Sequence, residues 1–143
     1  MCFAFFADSA TVPPDGKLYV LGGGFSAIAL PQLPGRASFA VVAGFRFLAA
    51  DVNATHTVEL RFVDALGKLV LPVANLQFQA AGALPDGQQQ VTVSTVTYMN
   101  PTFGEPGQYS AGFWGGDRLL QSLPLVVAEQ QQPVDSSVTH RPN

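Results

Sequence analysis

Charge is scarce along this chain, and that scarcity limits what it can fold into. Only 12% of the 143 residues are Asp, Glu, Lys or Arg, while 48% are apolar. An ordinary soluble domain carries roughly 25% charge. Such a balance belongs to a chain that spans a membrane or to one that hides an unusual share of its surface. Spanning by a helix needs an apolar run of about 20 residues; runs such as Leu69 to Leu71 and Leu123 to Ala128 fall far short. The spacing of the apolar residues therefore decides the fold class.

They are spaced like strands. Val, Phe, Thr and Leu alternate with small or polar partners, and Gly and Pro punctuate at short intervals. Cys2 to Ala10 is apolar on both faces. Asp15-Gly16-Lys17 turns into a second strand, Leu18 to Phe25, in which Gly22, Gly23 and Gly24 predict a bulge or a close backbone approach. A Pro-rich link at 31–35 leads to Ser38–Leu48, with Phe39, Val41, Ala43, Phe45 and Phe47 on one face. Thr57–Phe62 alternates most cleanly, with Val58, Leu60 and Phe62 inward and Thr57, Glu59 and Arg61 outward. Asp64 to Gly67 is turn chemistry. Lys68 to Leu71 leads into the alternating strand Ala74–Ala80, and Pro85-Asp86-Gly87 turns the chain into Gln89–Tyr98. The apolar phase slips there between Val93 and Val96, which predicts a second bulge. Gln108–Trp114, a Gly115-Gly116 turn and Asp117–Val127 form a hairpin. No stretch keeps a helical period. The expectation is an all-β fold, an antiparallel β-sandwich (Ig-like or jelly-roll-like) of about eight strands over residues 1–128. Residues 129–143 have little to bury and read as a polar, flexible tail.

Several of these motifs resemble a bacterial family of small β-sandwich domains of unknown function. The residues that carry the resemblance are Ala7-Asp8-Ser9-Ala10, Asp15-Gly16-Lys17-Leu18, Leu21-Gly22-Gly23-Gly24-Phe25, the Phe103–Gly107 turn with Tyr109-Ser110, and the strand Arg118–Leu125. The likeness covers most of residues 1–128. It implies a β-sandwich and carries no activity, because its motifs are turns and strand edges.

Chemistry finds little purchase in the sequence. The net charge of −3 and pI near 5.1, with Arg36, Arg46, Arg61 and Arg118 scattered singly, argue against nucleic acid, which clustered cations bind. The three glycines lack the spacing, the Lys-Ser/Thr end and the following helix of a phosphate loop. His56 is the only histidine ahead of the tail. A triad would need it held by Asp51 or Asp64 beside a serine, and those acids read as turn residues. One histidine and a distant Cys2, itself read as a small half-buried hydrophobe, cannot hold zinc. Asp8, Asp15, Asp64, Asp86 and Asp117 come one to a turn, so they cap backbone rather than gather calcium. Asn53-Ala54-Thr55 matches a glycosylation acceptor by chance. No cofactor or metal is expected. Trp114, Tyr98, Tyr109 and Phe113 suggest a stacking platform, against which Tyr109, just after Pro106-Gly107, reads as a tyrosine tying a turn by its hydroxyl.

What remains is the missing charge. Cys2–Ala7, Ser38–Leu48, Gln89–Tyr98 and Gln108–Trp114 are apolar or uncharged on both faces, Arg46 aside. Strands without one wet face are covered on both sides, and one small domain has too few layers for that. The expectation is a non-enzymatic structural or protein–protein interaction domain that self-associates, as a homo-oligomer or a subunit of a particle, fibre or phage-like assembly. The candidate surface is Phe3, Phe5, Val42, Val96, Tyr98 and Trp114. The alternatives are a module binding a small ligand or carbohydrate, and a hydrolase around His56. The N-terminus lacks the basic lead, long apolar stretch and cleavage site of a signal peptide, so the expected location is cytoplasmic or within a particle, with no membrane partner.

Overall fold

In the computed structural model, which describes residues 1–48, 53–79 and 90–130, the alternation becomes eleven strands, with no helix among the described residues. They are β1 (Phe3–Thr11), β2 (Tyr19–Phe25), β3 (Ala27–Leu30), β4 (Gly35–Arg36), β5 (Phe39–Leu48), β6 (Thr55–Asp64), β7 (Ala74–Gln79), β8 (Gln90–Met99), β9 (Thr102–Phe103), β10 (Gly107–Gly115) and β11 (Arg118–Glu129). One sheet runs β2-β1-β5-β8 and the other β3-β11-β10-β6-β7, with β4 and β9 as a two-stranded ribbon. Pairing is antiparallel except for β3 on β11. The fold is the expected β-sandwich. The three strands beyond the expected eight are β3, β4 and β9, each of four residues or fewer.

The core forms where the two alternations meet. Phe39, Val41, Ala43, Phe45 and Phe47 face inward from β5, and Val58, Leu60 and Phe62 face them from β6. Of the eleven phenylalanines, nine belong to this core or pack against it. Most of their rings meet edge-on or tilted, as with Phe6–Phe39 at 5.4 Å and Phe45–Phe78 at 4.5 Å between centroids, while Phe6 and Phe25 stack. Each fully buried ring contributes about 1.5–3 kcal/mol of transfer free energy.

Turn chemistry holds at Asp15 and Asp64, whereas Asp8 lies inside β1 rather than at a turn. Asp15 Oδ1 accepts from Lys17 N, and Asp64 Oδ1 accepts from both Leu66 N and Lys68 N. The glycine run does form a bulge. Phe6 lies opposite Phe25 and Ala7 opposite Gly23, so Gly24 is the extra residue, and its φ of 90° suits glycine.

Two expectations fail. β8 has no bulge, for its pairing with β5 runs unbroken from Gln90–Leu48 to Met99–Phe39. The apolar phase breaks instead because Thr95 and Thr97 sit opposite the inward Ala43 and Val41. The Thr95 hydroxyl is satisfied by donating to the Ala43 carbonyl at 3.3 Å, so a threonine serves where a valine was expected. The β10–β11 turn lies at Gly116-Asp117 rather than Gly115-Gly116, because Gly115 still pairs with Arg118. The turn at 85–87 and residues 131–143 of the expected tail lie outside the described residues. Glu129 still belongs to β11, and Gln130 N donates to Leu30 O at 2.6 Å.

Candidate functional site

Pairing fixes what stands on the outside of the four-stranded sheet. Phe3 lies across from Gly44 and Ser94, Phe5 from Val42 and Val96, and Ala7 from Ala40 and Tyr98. These rows build a second apolar cluster on the side away from the core. Ala7, Ala40 and Val42 are 0% exposed, beneath half-buried Phe3, Phe5, Leu18 and Val96. The Phe3 and Phe5 rings stack at 6.0 Å. Phe3 lies flat on Gly44, where any Cβ would overlap the ring. Among the outward positions of β5 and β8, Arg46 alone is charged.

Tyr98 crosses this face. Its phenol donates to the Ala10 carbonyl, accepts from Ala10 N at 3.1 Å and meets Ser9 Oγ at 3.3 Å. The ring thereby bridges β8 to β1 above the small Ala40 of β5. Ser9 and the Ala10 amide aimed at the phenolic oxygen hold its pKa below the usual tyrosine value. β8 is the last strand of its sheet. Ten uncharged residues without Pro or Gly therefore form an edge that no described strand covers.

The outside of the five-stranded sheet is built differently. Ser110, Gly112 and Ser122 are small, so the middle of the sheet is a depression, a groove of about 610 Å³. Leu69 and Val73 wall one side, with Leu69 held to Val63 by a β-bridge, and Trp114 and Leu119 wall another. The indole lies against Gly112. Arg61 places its guanidinium carbon 4.8 Å from the Trp114 ring centroid. Its Nε and Nη2 donate to one oxygen of Glu59, Oε2, at 3.0 and 2.6 Å. Both side chains are more than one-third exposed, so this pair orients the guanidinium more than it stabilises the fold.

The residues predicted to form one surface thus divide. Phe3, Phe5, Val42, Val96 and Tyr98 share the outside of the four-stranded sheet, with Val42 buried beneath rather than displayed. Trp114 stands on the opposite side of the molecule, because β10 belongs to the other sheet. The aromatic platform does not form. Phe113 is in the core at 1% exposure, and Tyr109 faces inward against Phe62 and Phe103. The Tyr109 hydroxyl donates to Glu105 O at 2.7 Å, the turn-tying role read from the sequence. Burial there, with Asp64 and Glu105 near, pushes its pKa up.

His56 packs 4.4 Å from Phe47 and also meets Phe78. Asp64 sits at the far end of β6 capping its turn, and Asp51 lies outside the described residues. Cys2 is exposed rather than half-buried, its thiol donating to Gly44 O at 3.3 Å. No group of metal-ligating side chains gathers among the described residues. No helix among them is long and apolar enough to cross a membrane. In the sequence alone Arg61 and Glu59 belong to a solvent face. The signal that marks them is the outward run Ser110, Gly112, Trp114: two small residues and then a large aromatic.

Comparison with known proteins gives a family and no activity. Residues 2–128 match the model of a family of unknown function, DUF6941, and the chain belongs to that family. No curated protein matches. One solved structure that matches is a β-glucosidase from Listeria innocua in complex with gluconolactone, at a TM-score of 0.43 and 11% identity over 88% of this chain. The chain spans 16% of that enzyme's length.

Proposed function

We propose that this family member is a non-enzymatic interaction domain that associates with its own copies through the outside of the four-stranded sheet, as the repeating unit of an oligomer or larger assembly. The observation that carries this reading is the second apolar cluster, in which Phe3, Phe5 and Val96 lie half-buried over a fully buried floor with no further layer above them among the described residues. A second copy is the occupant that the charge pattern favours. The face is nearly neutral, so opposing it to itself across a two-fold axis brings few like charges together. Covering the rings removes apolar surface from water at about 25 cal/mol per Å². The edge of β8, which no described strand covers, supports the same reading, since natural edges are usually guarded by charge, proline or bulges, and β8 carries none.

Sedimentation velocity of the full chain over a range of concentrations tests this. The expected result is a species that is a multiple of the 15.1 kDa chain and dissociates on dilution. A 15.1 kDa species at every concentration would reject self-association.

A further inference from the structure

We infer that the groove on the outside of the five-stranded sheet is a binding site for a neutral oligosaccharide. Its place in the sheet comes first. Its floor lies on β10 and β11, with β6 on the other side of β10. β10 is paired on both sides along the groove, so its backbone groups are spent in the ladders; β11 meets β3 only from Val126 to Glu129, and beside Leu119 and Ser122 no described strand pairs its outer edge. An extended peptide, which is captured by lending main-chain hydrogen bonds to a sheet edge, would add beside that stretch of β11, at the margin of the groove and not across its floor on β10.

Charge excludes more. Glu59 and Arg61 are bonded to each other, so the groove carries no net charge. An anion drawn to Arg61 meets the Glu59 carboxylate within 3.0 Å of the same guanidinium. A cation seeking the indole finds Arg61 already against the ring at 4.8 Å.

The groups left unused describe the ligand. Glu59 Oε1, Arg61 Nη1, the Asn75 amide, the Ser110 and Ser122 hydroxyls and the Trp114 Nε1–H have no hydrogen-bond partner among the described residues. An acceptor-only oxygen and a donor-only nitrogen stand side by side, the arrangement that adjacent hydroxyls match by donating to one and accepting from the other. Leu69, Val73 and Leu119 supply apolar walls for the C–H faces of a sugar ring. The volume falls within the 300–1,000 Å³ or so typical of small-ligand sites.

The chain has one tryptophan, so its emission reports from the groove itself. The full chain is titrated to about 10 mM, beyond the weakest affinity expected of such a site, with neutral hexasaccharides of α- and β-linked glucose, xylose, mannose and N-acetylglucosamine. Oligogalacturonate and a capped oligoalanine peptide serve as the anionic and peptide comparisons. The expected result is a saturable change in Trp114 emission with at least one neutral sugar and with neither comparison. Glu59→Gln, at a half-buried position, and Asn75→Ala, at an exposed one, with folding checked by circular dichroism, should each weaken that binding about tenfold, the loss of one hydrogen bond to a site group. No saturation by any neutral sugar, a response only to oligogalacturonate or the peptide, or affinity unchanged in both variants would overturn the assignment. The result does not depend on self-association, which engages the opposite side of the sandwich.

Discussion

On the outside of the four-stranded sheet, Phe3 and Phe5 lie over alanine, valine and glycine. On the outside of the five-stranded sheet, Trp114 and Arg61 lie beside glycine and serine, with a carboxylate alongside. Both sheets pack the same core, and their inner faces differ little. Their outer faces differ in what they leave undone. One has aromatic area over a buried apolar floor, with Gln90, Thr92 and Ser94 of β8 as uncharged polar neighbours, which suits a broad, non-directional contact. The other has a small concavity with unspent donors and acceptors, which suits a directional ligand. The scarcity of charge in the whole chain is thus unevenly shared, and its extreme lies on one face.

Substitutions at matched depths sharpen that comparison. Phe45→Ala and Leu60→Ala, both in the shared core, should cost about 3–5 and 2–5 kcal/mol in chemical denaturation. Phe5→Ala removes a half-exposed ring and should cost the isolated chain about 1–2 kcal/mol, so a loss as large as that at Phe45 would mean that the outer cluster belongs to the core. Glu59→Gln, on the other face, should change stability by well under 1 kcal/mol, since both side chains of its ion pair are more than one-third exposed to screening water. A larger loss would make the Glu59–Arg61–Trp114 cluster structural.

The smallest effect separates two tyrosines. With Tyr98→Phe and Tyr109→Phe as assignments, ultraviolet titration should find Tyr98 ionising before Tyr109. The raised Tyr109 pKa means that its contribution to stability is complete below the ordinary value of about 10 and is lost as pH rises through the folded value. The lowered Tyr98 pKa works in the opposite sense, its contribution being present above that ordinary value and lost as pH falls through the folded one. The reverse order of ionisation would mean that the Ser9 and Ala10 contacts do not form in solution.

How much of this was legible in the sequence varied with the range of the interactions. The inward phases of β5 and β6 were readable because each strand has one strongly apolar face, and period-two alternation is local. β3, β4 and β9 were not, since strands of two to four residues exist only through partners distant in sequence. The phase of β8 misled because Thr95 faces inward and finds a carbonyl on the neighbouring strand, a fact set by pairing rather than composition. The candidate surface was half legible. Phe3, Phe5 and Val96 stood out as excess apolar residues, yet nothing local says that Trp114 belongs to the other sheet. The groove depends on the order β11-β10-β6, which brings Arg61 to Trp114, and strand order is not written in alternation.

The most direct test of the asymmetry places one charge on each face and reads native mass by light scattering after size exclusion, for the wild type, Val96→Glu and Ser122→Glu. The account predicts a multimer for the wild type and for Ser122→Glu, and a 15.1 kDa chain for Val96→Glu. A mass that falls for Ser122→Glu and holds for Val96→Glu would put the contact on the wrong sheet and contradict the account.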